Sequence, residues 1–200
     1  SLDLLRNIRS TGIKAITLPD DDSLISVLET AGDGEIMIGT KLGLAIRFNE
    51  TEIRPMGRSA YGVRGIRFKK ASDEVVSVEQ VDESCTIFTV TQKGYGKCAP
   101  CSDYRLQARG GSGIINVRCG IKNGSVVSLN RLSEKQDVIL VTDTGRTIRF
   151  RSSNIPVQKR GGLGVKLMGL REGEVISGVA IVEAAEDMME ESIDTTDSNE

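Results

Sequence analysis

The sequence predicts an all-β, propeller-like fold, and three observations carry the prediction. Val, Ile and Leu fall in short clusters broken at close intervals by Gly, Asn, Asp and Ser, the pattern of many short strands joined by turns. Trp is absent and only seven residues are Phe or Tyr, so branched aliphatic side chains, which suit a pleated half-buried surface, must fill the core. The chain also repeats itself at a period of 51 residues, and periods of roughly 20–50 residues mark arrays and propellers.

The repeat can be followed along the chain. Thr40, Thr91 and Thr142 precede Gly43, Gly94 and Gly145 by three residues, so a T-x-x-G turn joins two apolar strands in each copy. Arg58, Arg109 and Arg160 each stand four residues before Gly62, Gly113 and Gly164. Val75-Val76-Ser77, Val126-Val127-Ser128 and Val175-Ile176-Ser177 follow, the last arriving two residues early through a shorter loop. An earlier copy survives in part as Arg9, Gly12 and Leu24-Ile25-Ser26. One period reads as four strands, about residues 35–40, 44–48, 63–68 and 75–81, which is the arithmetic of a propeller blade, where radial stacking protects the sheet edges. The expected organisation is a partial blade at 1–30, blades at about 31–81, 82–132 and 133–182, and an acidic disordered tail at 183–200. The WD and G-H signatures are missing, so the chain is not a WD40 protein.

Charge is unevenly distributed. From Glu183 onward there are eight acidic residues and no basic one, which leaves 26 basic against 20 acidic residues in the body. A basic body with an acidic tail suits a polyanion partner and an intramolecular competitor for it. No apolar run approaches the roughly 20 residues a membrane span requires. The opening SLDLLRNIRSTG enters the strand pattern with no leader, as expected of an internal piece of a soluble, cytoplasmic protein.

Laid on the repeat, the cations form a track. The T-x-x-G turns carry Lys41, Lys93 and Arg146, and the following strands carry Arg47, Lys97 and Arg149. The loops add Arg58, Arg109, Lys159 and Arg160, and the next strand adds Arg64, Arg67, Arg118 and Lys166. Equivalent positions fall at equivalent places in a stacked array, so these residues are expected to line a curved basic path for a nucleic-acid backbone. The bland alternative is a set of ordinary solvated strand-face charges. Two glycine-rich heptapeptides sit within the track, QARGGSG at 107–113 and QKRGGLG at 158–164. Their Gly110, Gly111, Gly113, Gly161, Gly162 and Gly164 permit sharp turns and close approach, and Arg can pair bidentately with phosphate oxygens.

Other chemistries are poorly supplied. Cys98 and Cys101 form a C-x-x-C, but without His only Cys85 and Cys119 could complete a zinc site. Cys119 falls in register with Phe68 and Met168, a core column, and Cys98 with Arg47 and Arg149, so no metal is expected. The lack of His removes His-dependent acid–base pairs and triads, and the Walker pattern G-x-x-x-x-G-K-[ST] is absent. Binding is the better class.

Four stretches, MGRSAYGVRGIRF (56–68), TQKGYGK (91–97), TDTGRTIRF (142–150) and QKRGGLGVKLM (158–168), resemble the DNA-wrapping C-terminal domain of bacterial DNA gyrase A, one of the two gyrase proteins, over nearly the whole chain. The resemblance implies a six-bladed β-pinwheel with strand exchange between blades, and a basic rim around which duplex DNA bends. It implies about four of the six blades here, with the first blades upstream. The family hallmark is the box QRRGGKG, normally in the first blade. Gln158, Arg160, Gly161, Gly162 and Gly164 match it, with Lys159 for Arg and Leu163 for Lys. Gln107, Arg109, Gly110, Gly111 and Gly113 match it too, with Ala108 and Ser112 at the variable places. Both heptapeptides thus resemble later-blade copies of the box. The resemblance further implies a non-catalytic domain with no cofactor of its own. Its partners would be the N-terminal part of gyrase A and the gyrase B protein, and ATP and Mg would act elsewhere in the holoenzyme. Two alternatives stay open: the related C-terminal domain of topoisomerase IV, and an RCC1-like propeller that serves as an interaction module.

Overall fold

The computed structural model describes residues 10–184 of the 200. The acidic stretch beyond Ala184 therefore lies outside the described residues, while Glu183, assigned above to the tail, closes the last strand. Among the described residues eleven strands form: β1 (Glu35–Thr40), β2 (Leu44–Asn49), β3 (Val75–Val81), β4 (Thr86–Thr91), β5 (Tyr95–Pro100), β6 (Ile114–Ile115), β7 (Val126–Leu132), β8 (Gln136–Thr142), β9 (Thr147–Arg151), β10 (Val165–Lys166) and β11 (Ile176–Glu183). They build three antiparallel sheets in the orders β3-β1-β2-β6, β10-β5-β4-β7 and β11-β8-β9.

The central hairpin of each sheet is set by its T-x-x-G turn. The glycine N–H donates to the threonine carbonyl at 3.0 Å in Gly43, 2.9 Å in Gly94 and 3.0 Å in Gly145. Each glycine has positive φ, +87° at Gly43, the left-handed position that completes a type I turn with its bulge. A Cβ on Gly43 would stand 2.2 Å from the carbonyl oxygen of Val117, so the turn is also packed against the next copy of the repeat.

Strand exchange decides how the copies join. The expected strand over 63–68 does not form; its counterparts in the next two copies are only β6 and β10, and these pair with β2 and β5 of the copy before them. Among the described residues no sheet precedes β1, so residues 63–68 have no edge to join. For the same reason Leu24, Ile25 and Val27, the counterparts of β3, form no strand and stay exposed.

Strands β3, β7 and β11 pack side by side. Ser77 Oγ lies 3.4 Å from Ser128 Oγ, its equivalent 51 residues on, and Ser77 Oγ accepts from the backbone N–H of Leu129 at 2.9 Å. These strands form the inner edge of the sheets, and β6 and β10 form the outer edge. One core, with Met37, Ile87, Ala99 and Leu129, fills the space between the first and second sheets. Another, with Phe88, Val90, Leu140 and Met168, fills that between the second and third. Burying such aliphatic side chains contributes about 1.5–3 kcal/mol each, so the sheets hold one another in place.

Candidate nucleic-acid interface

Because β3, β7 and β11 lie inside, the segments joining each hairpin to the next inner strand lie outside. These segments, residues 50–74, 101–125 and 152–175, carry 14 of the 26 basic residues and seven of the 28 acidic ones. Two of those acids, Asp73 and Glu174, are buried. The three inner strands hold a single basic residue, Arg131. The fold thus sorts charge radially, placing cations on the rim.

Each outer segment starts with a one-turn 3-10 helix, Glu50–Glu52, Cys101–Asp103 or Ser152–Asn154. The second and third segments then meet the preceding sheet. Gln107 N–H donates to the Arg47 carbonyl and Gln158 N–H to the Cys98 carbonyl, both at 2.8 Å; Gly110 N–H donates to Gly65 and Gly161 N–H to Asn116, both at 2.7 Å. Gly164 has φ +86° and a Cβ there would lie 2.6 Å from the Gly96 carbonyl oxygen; at Gly113 the equivalent clash is 2.7 Å from the Ala45 carbonyl oxygen. Only glycine allows the loop to lie this close to the strand.

Arg109 and Arg160 make the same contacts in their two loops. Arg109 Nε donates to the Glu52 carbonyl at 3.1 Å, Nη1 to the Arg64 carbonyl at 2.7 Å, and its backbone N–H to Glu52 Oε2 at 2.8 Å. Arg160 Nε donates to the Asp103 carbonyl at 3.1 Å, Nη1 to that of Ile115, and its backbone N–H to Asp103 Oδ2 at 3.0 Å. Two of the five guanidinium N–H donors of each are therefore used inside the protein. These arginines clamp one copy of the repeat to the preceding one. The N–H groups of Gly110 and Gly161 are consumed likewise, so these two are not free to meet a phosphate.

The remaining sequence-predicted cations divide by burial. Arg58, Arg64, Lys93, Arg118, Lys159 and Lys166 are exposed. Lys41 pairs with Glu74 at 2.5 Å, Arg146 with the buried Glu174, and Arg149 with the buried Asp137 at 2.7 Å, the three cations themselves staying at least partly exposed. Two must be withdrawn from the track, Arg47 and Lys97. Arg47 is 6 % exposed; its Nε meets Glu35 at 2.5 Å and its Nη1 donates to the Cys101 and Tyr104 carbonyls at 3.2 and 3.1 Å. Arg149 makes the matching pair with Asp137 but stays exposed, since no further sheet covers it among the described residues.

Lys97 is 1 % exposed and donates to the Lys159 carbonyl at 3.0 Å. Burial, with the Arg160 charge acting in the same direction, pushes its ammonium down to about 8. It stands in register with Ile46 and Ile148 rather than with Arg47, hence on the opposite face of its strand. Lys97, Thr89, Tyr104 and Asn116 occupy columns that are Ile, Ile, Ile and Gly in the first copy and Ile, Leu, Ile and Leu in the third. Asn116 accepts from Tyr104 Oη at 2.6 Å and donates to Thr89 Oγ1 at 3.0 Å. Comparing the copies column by column would have revealed this polar group from sequence. The same comparison yields Arg54 and Arg105, a further exposed pair 51 residues apart absent from the track above.

The two thiols of the C-x-x-C point into different cores. Cys98 faces the second core and Cys101 the first, and burial pushes the Cys98 thiol up to about 11. Among the described residues, no group of three or more His, Cys, Asp or Glu side chains is placed to share a metal ion.

A family model for the DNA gyrase C-terminal domain, a beta-propeller, matches residues 1–31, 34–82, 86–133 and 136–183. The chain belongs to this family. Within it, the chain is 40 % identical over 195 residues to the DNA gyrase A protein of Staphylococcus aureus and 38 % over 189 residues to that of Staphylococcus epidermidis. Each match covers 94 % of the chain and 22 % or 21 % of the relative, so the chain spans about a fifth of those proteins. A solved DNA gyrase A C-terminal domain superposes with a TM-score of 0.76 at 27 % identity, covering 86 % of this chain and 58 % of that one. The C-terminal domain of DNA topoisomerase IV superposes with a TM-score of 0.86 at 24 % identity, covering 92 % and 57 %, a likeness of fold. No helix among the described residues is long and apolar enough to cross a membrane.

Proposed function

We propose that this domain binds duplex DNA along its basic rim and bends it without reading base sequence, as the non-catalytic wrapping part of a DNA gyrase A protein. The observation that carries the reading is the radial sorting of charge, with cationic outer segments at repeated positions on stacked sheets. Such an array can neutralise phosphates along a curved path, and no recognition helix is present among the described residues to enter a major groove. The working assembly would be the cytoplasmic holoenzyme, with the N-terminal part of gyrase A and the gyrase B protein, where ATP and Mg drive negative supercoiling outside this domain.

Curving a site of 20–30 base pairs by 40–90° costs on the order of 1–6 kcal/mol, so contacts from several outer segments must act together. Affinity is expected to rise with duplex length until the arc is filled, and to depend steeply on salt and little on sequence. Energy transfer between dyes on the two ends of a short duplex should increase as protein is added. A duplex that stays straight at saturation would remove bending and leave simple binding.

A further inference from the structure

We propose that the cleft at the outer junction of the second and third sheets is a phosphate clamp for the DNA backbone, in which Lys122 and Arg171 join Lys93 and Lys166. The proposal rests on the DNA-binding reading above and assigns its strongest hold to one place on the rim.

The cleft has a volume of about 450 Å³ and is lined by Lys93, Tyr95, Lys122, Lys166, Arg171 and Glu174 among others. The turn ending at Gly94 places Lys93 at its mouth, where Nζ donates to the Ile121 carbonyl and ties down the 120–122 tip. Lys122 Nζ lies 5.6 Å from the centroid of the Tyr95 ring, a cation–π distance that holds the ammonium over the cleft. Lys166, on β10, is the register partner of Tyr95 on β5. Arg171 is anchored through its backbone N–H, which donates to Glu174 Oε2 at 2.8 Å.

Glu174 does not neutralise the cluster. Its carboxylate receives the Arg146 guanidinium through Nε at 3.0 Å and through Nη2, Thr144 Oγ1 at 2.8 Å, and the Arg171 N–H. The Arg146 contact holds the carboxyl far below the usual carboxylate range. The charge of Glu174 is thus matched by Arg146, and the four exposed cations face the cleft with no other acidic side chain in its lining. Like charges gathered at this spacing repel one another, and a bound polyanion turns that repulsion into attraction.

The cluster is not a by-product of the repeat. The positions equivalent to Lys93, Tyr95, Lys122, Lys166 and Arg171 at the junction of the first and second sheets are Leu42, Leu44, Ala71, Ile115 and Gly120. None of those five carries charge, so the two junctions share an architecture and differ together at five columns.

The test is a salt series of duplex affinity for the 200-residue chain, for Lys122→Ala/Arg171→Ala, and for Arg131→Ala/Lys135→Ala, which removes the same charge from the inner strand β7 and the turn after it. The cleft pair should lower the magnitude of the log affinity against log salt slope by about 2 and weaken binding at least about tenfold at moderate salt. The control pair should change neither. Equal losses in both variants, or an unchanged slope in the cleft variant while the parent chain binds, would overturn the clamp and leave DNA binding intact. A parent chain that fails to bind duplex would instead bring down the DNA-binding reading and the clamp with it. Pyrophosphate that displaces duplex at comparable concentration would overturn the assignment to a DNA backbone in favour of a small-anion pocket.

Discussion

The loops at 107–113 and 158–164 and the related stretch at 56–62 share an arginine and a glycine at the same spacing, yet only the first two are docked. Arg109 and Arg160 each reach two carbonyls of the preceding copy, whereas Arg58 is exposed and, among the described residues, its guanidinium donates to the Lys14 carbonyl at 3.4 Å. Gly113 and Gly164 press against a strand, while Gly62, also at positive φ, has nothing within 4 Å of its Cβ position. The difference lies in the neighbour: among the described residues, the two later loops have a preceding sheet to rest on, and the first does not. The repeated motif is therefore first a joint between sheets, and what it offers DNA depends on that joint being made.

The sharpest way to break the comparison is to remove the arginines one at a time. Arg109→Ala or Arg160→Ala deletes charge-assisted hydrogen bonds and leaves carbonyls without donors, at a cost of about 2–3 kcal/mol. Arg58→Ala should cost less than about 0.5 kcal/mol, as surface changes do. Chemical denaturation of the three variants checks this, and equal effects would mean that docking contributes nothing.

The all-β fold and its T-x-x-G turns were legible in the sequence, the turns because each rests on a repeated glycine with one backbone requirement. The resemblance implied strand exchange, but which segments take part was not legible, since residues 63–68, 114–119 and 165–170 look alike and only the presence of an open edge decides which of them pair. Arg47 looked like a rim cation until the turn at 101–104, supplied by the next copy, covered it. Lys97 was assigned to the wrong face by a shift of one residue in register. Lys122 and Arg171 escaped notice because a search for repeated positions passes over columns that change between copies.

A smaller effect separates the second sheet from its neighbours. Lys97 has a folded value of about 8 against an ordinary 10.5, so between those pH values the unfolded chain holds a proton that the folded chain has released. Its contribution therefore raises stability as pH climbs from about 8 to 10.5, and below about 8 the full penalty of a buried ammonium remains. Lys97→Ile, copying Ile46 and Ile148, should be more stable than the parent near neutrality, by an amount on the order of 1 kcal/mol. That advantage should shrink across the same window. A difference between paired denaturation curves that stays constant from neutrality to the top of that window would contradict the assignment.

The central claim, that the outer segments meet DNA and the inner strands do not, is tested most directly by lysine acylation with and without saturating duplex, read by mass spectrometry of peptides. Lys69, Lys70, Lys122, Lys159 and Lys166 should lose reactivity when DNA is bound, and Lys135, in the turn after inner strand β7, should keep it. Protection at Lys135 equal to that at the rim lysines, or no protection at the rim while DNA is bound, would contradict the account.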